Sequence, residues 1–424
     1  MAALGGKSSK ARVEILSPAG DFICLDAALQ AGADAVYFGL KGSNMRAGAK
    51  NFETKDMKKI VRKCSKFGAK AYLTLNTIYY EGEEKILARQ LKAAKSAGVS
   101  AVIAWDLGAI SLANEIGIPV HLSTQASAAN SGAVASYARN YAIKRFVLAR
   151  ECSLESIAQI KKSLAAKLGK SAAKDISIEV FAHGAMCVSI SGRCFLSQFS
   201  CGKSANRGEC LQPCRREYLI SDIRGGEPSF KIGSGYVMSP KDLCTLGFLE
   251  KLIDAGADSL KIEGRNRNAE YVFNVTSAYV KARDFYAENR KSPTFDKDFS
   301  ELKNALVSNL ESVFNRGFSS GFFMGKPVGD WTSKGNAAKS KKCILGHVLN
   351  FYSRLGVAEI SIDDNSVSLG EEIQIEGETT GFVRMKIESM QLGGNPIDFA
   401  GKGMKVSVKV PVKLRRGDRI FKFL

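Results

Sequence analysis

Apolar residues recur through the first part of the chain in one repeated phrase. A helical stretch ends in Ala and Gly, a short run of β-branched and aromatic residues follows, and a polar group closes it. The clearest copies are LQAGADAVYFG at Leu29 to Gly39, KSAGVSAVIAWD at Lys95 to Asp106, and LIDAGADSLKIEGR at Leu252 to Arg265. Between them lie KFGAKAYLTLN, IGIPVHLSTQ, YAIKRFVLARE and DISIEVFAHG. Runs that are nearly continuous in apolar character, rather than alternating, suit parallel strands covered on both faces. With VEILSPAG first and the run ending in KIEGR last, eight strands alternate with helices. That pattern predicts a (β/α)8 TIM-like barrel of about 270 residues. An open doubly wound sheet is the alternative, but no G-x-G-x-x-G follows the first strand.

Beyond Arg265 the pattern changes. Ala269 to Asn289 and Phe299 to Asn315 read as helices, the second leading into FNRGFSSGFFMGKP, where aromatic rings stand beside Arg316 and Lys326. Such a piece serves either to stack single-stranded bases or to act as a hydrophobic clasp between domains. After the polar, basic VGDWTSKGNAAKSKK, the chain from Cys343 to Leu424 alternates short strands with Gly and Asp turns, as a small β-barrel does. The expected layout is a disordered N-terminus over 1–12, a barrel with a cysteine-rich insertion and following helices over 13–330, a linker over 331–342, and the small β-barrel over 343–424.

In a barrel of this kind, polar residues directly after each strand stand at the catalytic mouth. Here they are Ser17 and Asp21, Asn76, Asp106, Ser123 and Gln125, Arg150 and Glu151, His183, and Glu263 with Arg265. Together they predict a polar cavity, with His183, Asp106, Glu263 and Arg265 as candidates for its chemistry. Taken singly, each also reads as an ordinary cap or turn residue.

Charge adds a partner class. The chain carries 61 Lys and Arg against 42 Asp and Glu, a net +19 in 424 residues, and its last 23 residues hold eight of the cations against one aspartate. A fold does not need that excess. A polyanion such as RNA explains it through phosphate neutralisation, and a lysine-rich source cell is the plainer alternative. MAALGGKSSKAR lacks the apolar run of a signal peptide, and no later run has the length of a membrane span. A cytoplasmic protein without a membrane partner is the expectation.

The cysteines are the least ordinary feature. Five of ten, Cys187, Cys194, Cys201, Cys210 and Cys214, fall among glycines, serines and arginines directly after the seventh strand, and Cys244 follows in SPKDLC. Buried structural cysteines scatter through apolar positions, whereas a metal site needs thiolates gathered by small-residue turns. Disulfides are disfavoured for an unexported chain, and the paired knuckles of structural zinc are missing. An iron–sulfur cluster tolerates wide, irregular ligand spacing. Between Leu219 and Tyr236 the sequence reads as a β-hairpin insertion. No H-E-x-x-H or G-x-S-x-G occurs, so metallopeptidase and serine-hydrolase sites are not indicated. His183 lies four residues before Cys187, which leaves a Cys–His nucleophile open.

Glu179, Phe181, Gly184, Ala185, Met186, Cys187, Gly192, Cys194, Leu196 and Ser197 match E-x-F-x-x-G-[SA]-[LIVM]-C-x4-G-x-C-x-[LIVM]-S, the signature of the collagenase-like "peptidase" family of unassigned catalytic type. EILSPAGD, DAVYFGL, SPKDLC, KIEGR and FNRGFSSGFF also resemble it. The better understood relatives are oxygen-independent hydroxylases with a 4Fe-4S cluster. The resemblance is greatest to the branch that forms 5-hydroxyuridine at the tRNA wobble position with prephenate as co-substrate; another branch acts on ribosomal RNA. It implies Cys187, Cys194, Cys210 and Cys244 as cluster ligands, with Cys214 as the alternative third ligand and Cys201 outside the pattern. Arg150, Arg193, Arg215 and Arg265 are candidates to pair the carboxylates of a co-substrate. Peptide cleavage is the alternative activity.

Overall fold

The computed structural model describes residues 12–219, 234–235, 238–333 and 335–424. The expected disordered N-terminus lies outside the described residues except for Arg12.

Seven parallel strands follow one another in sequence and in space: β1 (Glu14–Ala19), β2 (Ala35–Gly39), β3 (Lys70–Thr74), β4 (Ala101–Ala104), β5 (Val120–Leu122), β6 (Arg145–Val147) and β7 (Ser177–Ala185). Next come β8 (Tyr218–Leu219) and β9 (Ser234–Gly235), which pair antiparallel as the base of the expected hairpin, whose tip lies outside the described residues. β10 (Asp242–Cys244) runs antiparallel to β7. β11 (Ser259–Ile262) then pairs in parallel with both β7 and β1 and closes the eight-stranded barrel. The expected (β/α)8 fold is what forms. Strands such as β2, apolar throughout and buried at every position, are covered inside by the barrel core and outside by helices.

The helix Ala269–Asn289 falls where the sequence places it, whereas the next spans Phe295–Leu310, shifted toward the N-terminus of the expected stretch. The aromatic segment after it belongs to the barrel. β12 (Phe318–Ser319) pairs with β10, Phe323 is buried in the barrel core, and Phe318 packs 5.5 Å from the His183 ring. These contacts pack the aromatic segment into the barrel itself rather than between the domains.

The C-terminal region is an antiparallel eight-stranded sheet with its own apolar core, in the order Gly381–Lys386, Glu372–Gly377, Arg419–Phe423, Lys342–Tyr352, Val357–Ile362, Lys405–Lys409, Met390–Leu392, Asn395–Pro396. It docks on the barrel through Phe382, which is fully buried, stacks 5.1 Å from Phe273 and offers its carbonyl to Gln30 at 2.7 Å. Arg384 adds a 2.8 Å bond to Asn274.

Candidate active site

The C-terminal ends of the barrel strands surround a cavity of about 420 Å³. Its floor is built from residues inside or just beyond the strands: Tyr37, Thr74, Phe181, Lys261, Glu263 and Arg265. Its roof is the loop after β7, which contributes Cys187, Cys194, Cys210 and Cys214. A loop after β2 closes one side with Met45, Arg46, Ala47 and Gly48.

Glu263 organises the charged floor. Burial alone would push its carboxyl up, but Arg46, Arg150 and Arg265 overcome this and hold it at about 2. Arg46 donates to Glu263 Oε1 from Nε at 3.2 Å and Nη2 at 3.0 Å, and Arg150 Nη2 stands 3.8 Å from Oε2. Arg150 is further fixed over the Phe181 ring at 3.9 Å and to the Ala185 carbonyl at 2.7 Å, leaving its buried Nε without a partner among the described residues. Arg265 donates to Asn44 Oδ1 at 2.8 Å and Thr74 Oγ1 at 2.9 Å, and burial brings it down to about 10, still cationic at neutral pH. Among the described residues, five arginines and two lysines line the cavity against two glutamates, so its lining favours anions.

The thiols are placed by turns that need little side-chain bulk. Gly208 has φ +91° and its carbonyl accepts the Ala47 N–H at 2.9 Å; a Cβ there would lie 2.1 Å from the Asn44 carbonyl oxygen. That contact ties the cysteine loop to the loop after β2. Ser197 is buried beneath Cys210, donating to its Sγ at 3.9 Å while accepting the Leu211 N–H at 3.0 Å. The Leu196 N–H points to Cys194 Sγ at 3.3 Å, and the Cys187 thiol meets Ser189 Oγ at 2.9 Å. Burial pushes the Cys214 thiol up to about 11, Arg215 acts against it, and Cys187, Cys210 and Cys194 add to the rise. All ten cysteines are free. Among the described residues, no three His, Cys, Asp or Glu side chains converge as they stand on a single metal ion.

Not every expected residue reaches the cavity. Asn76, Ser123, Gln125, Arg150, Glu263 and Arg265 line it. Asp106 instead caps the helix Leu107–Ile116, accepting the Ala109 N–H at 3.0 Å, and Asp21 caps Phe22–Gln30 through the Cys24 N–H at 2.8 Å. Ser17 is buried against Thr276, and Glu151 holds the Ser191 N–H at 2.8 Å, steadying the cysteine loop from outside. The expectation that His183 lines the cavity is corrected by a β-bulge. β11 advances from Lys261 to Ile262 while β7 advances from Phe181 to His183, so His183 shares the outward face of Ile262. Its ring packs among Tyr271, Tyr279 and Phe318, where burial depresses it to about 3. Cys244 pairs with His183 across β10 and β7, and its buried thiol lies 4.0 Å from Tyr279 Oη, outside the cavity lining. Arg215 lines the cavity, but its guanidinium is tied to Ser239 Oγ at 2.7 Å and the Met186 carbonyl at 2.6 Å. Arg193 reaches Ser127 Oγ at 2.9 Å instead.

Strand-end reasoning misses Arg46, Lys261 and Tyr37. The signal for Arg46 was the long Gly-, Ser- and Asn-rich stretch after β2, because a long loop on the catalytic face of a barrel is commonly functional.

Fold and cavity define a (β/α)8-barrel protein with a cationic, thiol-roofed pocket at the catalytic mouth. The chain belongs to peptidase family U32, whose profile matches residues 20–333. It is 40% identical over 413 residues to a protein of Porphyromonas gingivalis named collagenase, covering 97% of each chain. It is 32% identical over 400 residues to tRNA hydroxylation protein P1 of Bacillus subtilis, covering 93% of this chain and 90% of that one. To the 23S rRNA 5-hydroxycytidine synthase of Escherichia coli it is 35% identical over 325 residues, covering 76% of this chain and 47% of the relative. Among the described residues no helix is long and apolar enough to cross a membrane.

Proposed function

We propose that this protein is an RNA hydroxylase that uses a 4Fe-4S cluster and a small polycarboxylate co-substrate, prephenate, to form 5-hydroxyuridine at the tRNA wobble position. The observation that carries the reading is that four thiols and five arginines face one cavity at a barrel mouth. The hydroxylation names of the tRNA and rRNA relatives support it, as does the net charge of +19.

The donor set suits a multi-iron cluster. A single zinc ion draws four ligands to about 2.0–2.3 Å, whereas the ligands of a cluster bind separate corners and stand farther apart. Four thiols line one space, the number that such a cluster takes. Cys187, Cys194, Cys210 and Cys214 would hold the cluster. Cys244, the ligand implied by resemblance, faces the helical layer with His183. Such a cluster supplies one-electron transfer or a Lewis-acidic iron. Arg265 and the unpartnered Nε of Arg150 would take the carboxylates of the co-substrate. Glu263 keeps the arginine heads oriented, and the cysteine loop roofs the floor. An anticodon-loop base reaches such a cavity because it is readily unstacked.

The collagenase name of one relative supports the peptidase alternative, but among the described residues no histidine lines the cavity, and a Cys–His dyad requires one within hydrogen-bond reach of the thiol. Mass analysis of tRNA nucleosides from a deletion strain tests the proposal. Loss of 5-hydroxyuridine-derived nucleosides is expected, and an unchanged profile discards the wobble assignment. Peptide cleavage that persists without the cluster would favour the peptidase.

A further inference from the structure

The outer face of the cysteine loop is apolar and aromatic where a loop of this composition has no folding reason to be. Phe199 is 86% exposed, Phe195 64% and Ile190 68%, and the two rings lie 6.1 Å apart on one side of the short helix Leu196–Cys201. On the side of that helix toward the protein, Leu196 lines the cavity and Ser197 is buried under Cys210. Val188 and Leu211, in the same loop, are exposed and also line the cavity. Two adjacent outward phenylalanines add nothing to the core, and exposed aromatic side chains grouped in this way mark an interaction surface.

Charge decides which partner it fits. From Cys187 to Glu217 the loop carries five cations and two carboxylates. Lys203, with a side chain 54% exposed, lines the cavity and stands 3.6 Å from Glu209. Arg207, held by the Glu83 carboxylate, lies 5.3 Å from the ring of exposed Tyr80. Rings alternating with cations are how single-stranded nucleic acid is held, the bases on the π-faces and the phosphates on the charges. A membrane surface also attracts aromatics and cations, but it is flat, and this patch borders a cavity large enough for one extruded base.

We infer that Phe195 and Phe199 form a stacking platform for the unpaired nucleotides that flank the target base of a single-stranded RNA loop. The inference rests on the RNA reading given above and deepens it. Stacking acts beside the cavity, so the platform contributes to RNA affinity and leaves the cysteines untouched.

The test is fluorescence anisotropy of the full-length, anaerobically prepared protein with a labelled anticodon stem-loop RNA and, separately, with blunt duplex RNA and with anionic phosphatidylserine vesicles. Phe199→Ala and the double variant Phe195→Ala/Phe199→Ala are expected to bind the stem-loop roughly tenfold or more weakly. Duplex binding and the visible absorption should not change, and Phe199→Trp, which keeps a ring, should restore affinity. Equal stem-loop affinity for wild type and both alanine variants overturns the platform while leaving the RNA reading intact. Loss of vesicle binding alone also overturns it and assigns the patch to a lipid surface. Wild-type protein that binds no RNA, with unchanged nucleosides in the deletion strain, removes the RNA reading itself.

Discussion

Replacing Glu263 with Gln keeps the shape of the buried side chain and removes the one negative charge that Arg46, Arg150 and Arg265 share. The side chain is only 13% exposed, so solvent screens the cluster little. The fall of its pKa from 4.5 to about 2 corresponds to roughly 3 kcal/mol at 1.36 kcal/mol per unit. That agrees with the roughly 3–5 kcal/mol measured when one partner of a buried ion pair is removed. Because the folded pKa is depressed, this stability is fully present above about pH 4.5 and is lost as pH falls through about 2. Glu263→Gln should therefore unfold at lower denaturant concentration at pH 7, by about 3 kcal/mol, and the gap to wild type should narrow between pH 4.5 and 2. With the internal carboxylate gone, a di- or tricarboxylate added at pH 7 should stabilise the variant more than wild type. Denaturant titration by circular dichroism, with and without added carboxylate, reads both effects. A variant as stable as wild type at pH 7 and indifferent to carboxylates would refute the assignment of Glu263 as the organiser of an anion site.

Three other outcomes follow from the geometry. Cys214→Ala should abolish the broad visible absorption and bound iron of anaerobically purified protein while Cys244→Ala keeps both; iron and sulfide analysis of the pair checks it, and the reverse pattern would restore Cys244 as the ligand. Gly208→Ala must either leave φ +91° or press a Cβ against the Asn44 carbonyl, so it should free the cysteine loop at a local cost of about 1–3 kcal/mol, seen as faster proteolysis within residues 187–217 at nearly unchanged overall stability. Phe382→Ala should cost about 3–5 kcal/mol by emptying the fully buried junction between the barrel and the C-terminal sheet, measured by chemical denaturation.

The barrel was legible because its strands are buried on both faces and so read as continuous apolar runs between helices. Where the sequence and the structure part, the reason is local. Asp106 follows a strand, as a mouth residue does, but the same position opens the next helix, and the carboxylate is used on the Ala109 N–H. The helix expected at Phe299 starts at Phe295, where Asp296 and Asp298 supply the acidic first turn and Phe295 stacks 5.1 Å from Phe299. Arg46 was hidden because it lies far along a loop rather than at a strand end. Its partner Glu263 was found because it directly follows β11.

The bulge in β7 separates the two sets of sulfur chemistry in this chain. Without it, alternation would carry Phe181 and His183 to the same face, and the imidazole would stand on the cavity floor near the thiols, as a hydrolytic dyad requires. The extra residue, Ala182, turns His183 outward instead, and the pairing of β10 with β7 carries Cys244 to that same face. Gly184 follows at φ +106°, where a Cβ would lie 2.5 Å from the Glu263 carbonyl oxygen, so the strand can hold this path against the Glu263 backbone only with glycine there. Cys187 then leaves the end of β7 over the mouth. One local irregularity thus removes the base a thiol nucleophile would need and leaves four thiols above an anion site. The signature residues Gly184 and Cys187 therefore act together: the glycine lets the strand pass the Glu263 backbone, and the cysteine follows over the mouth.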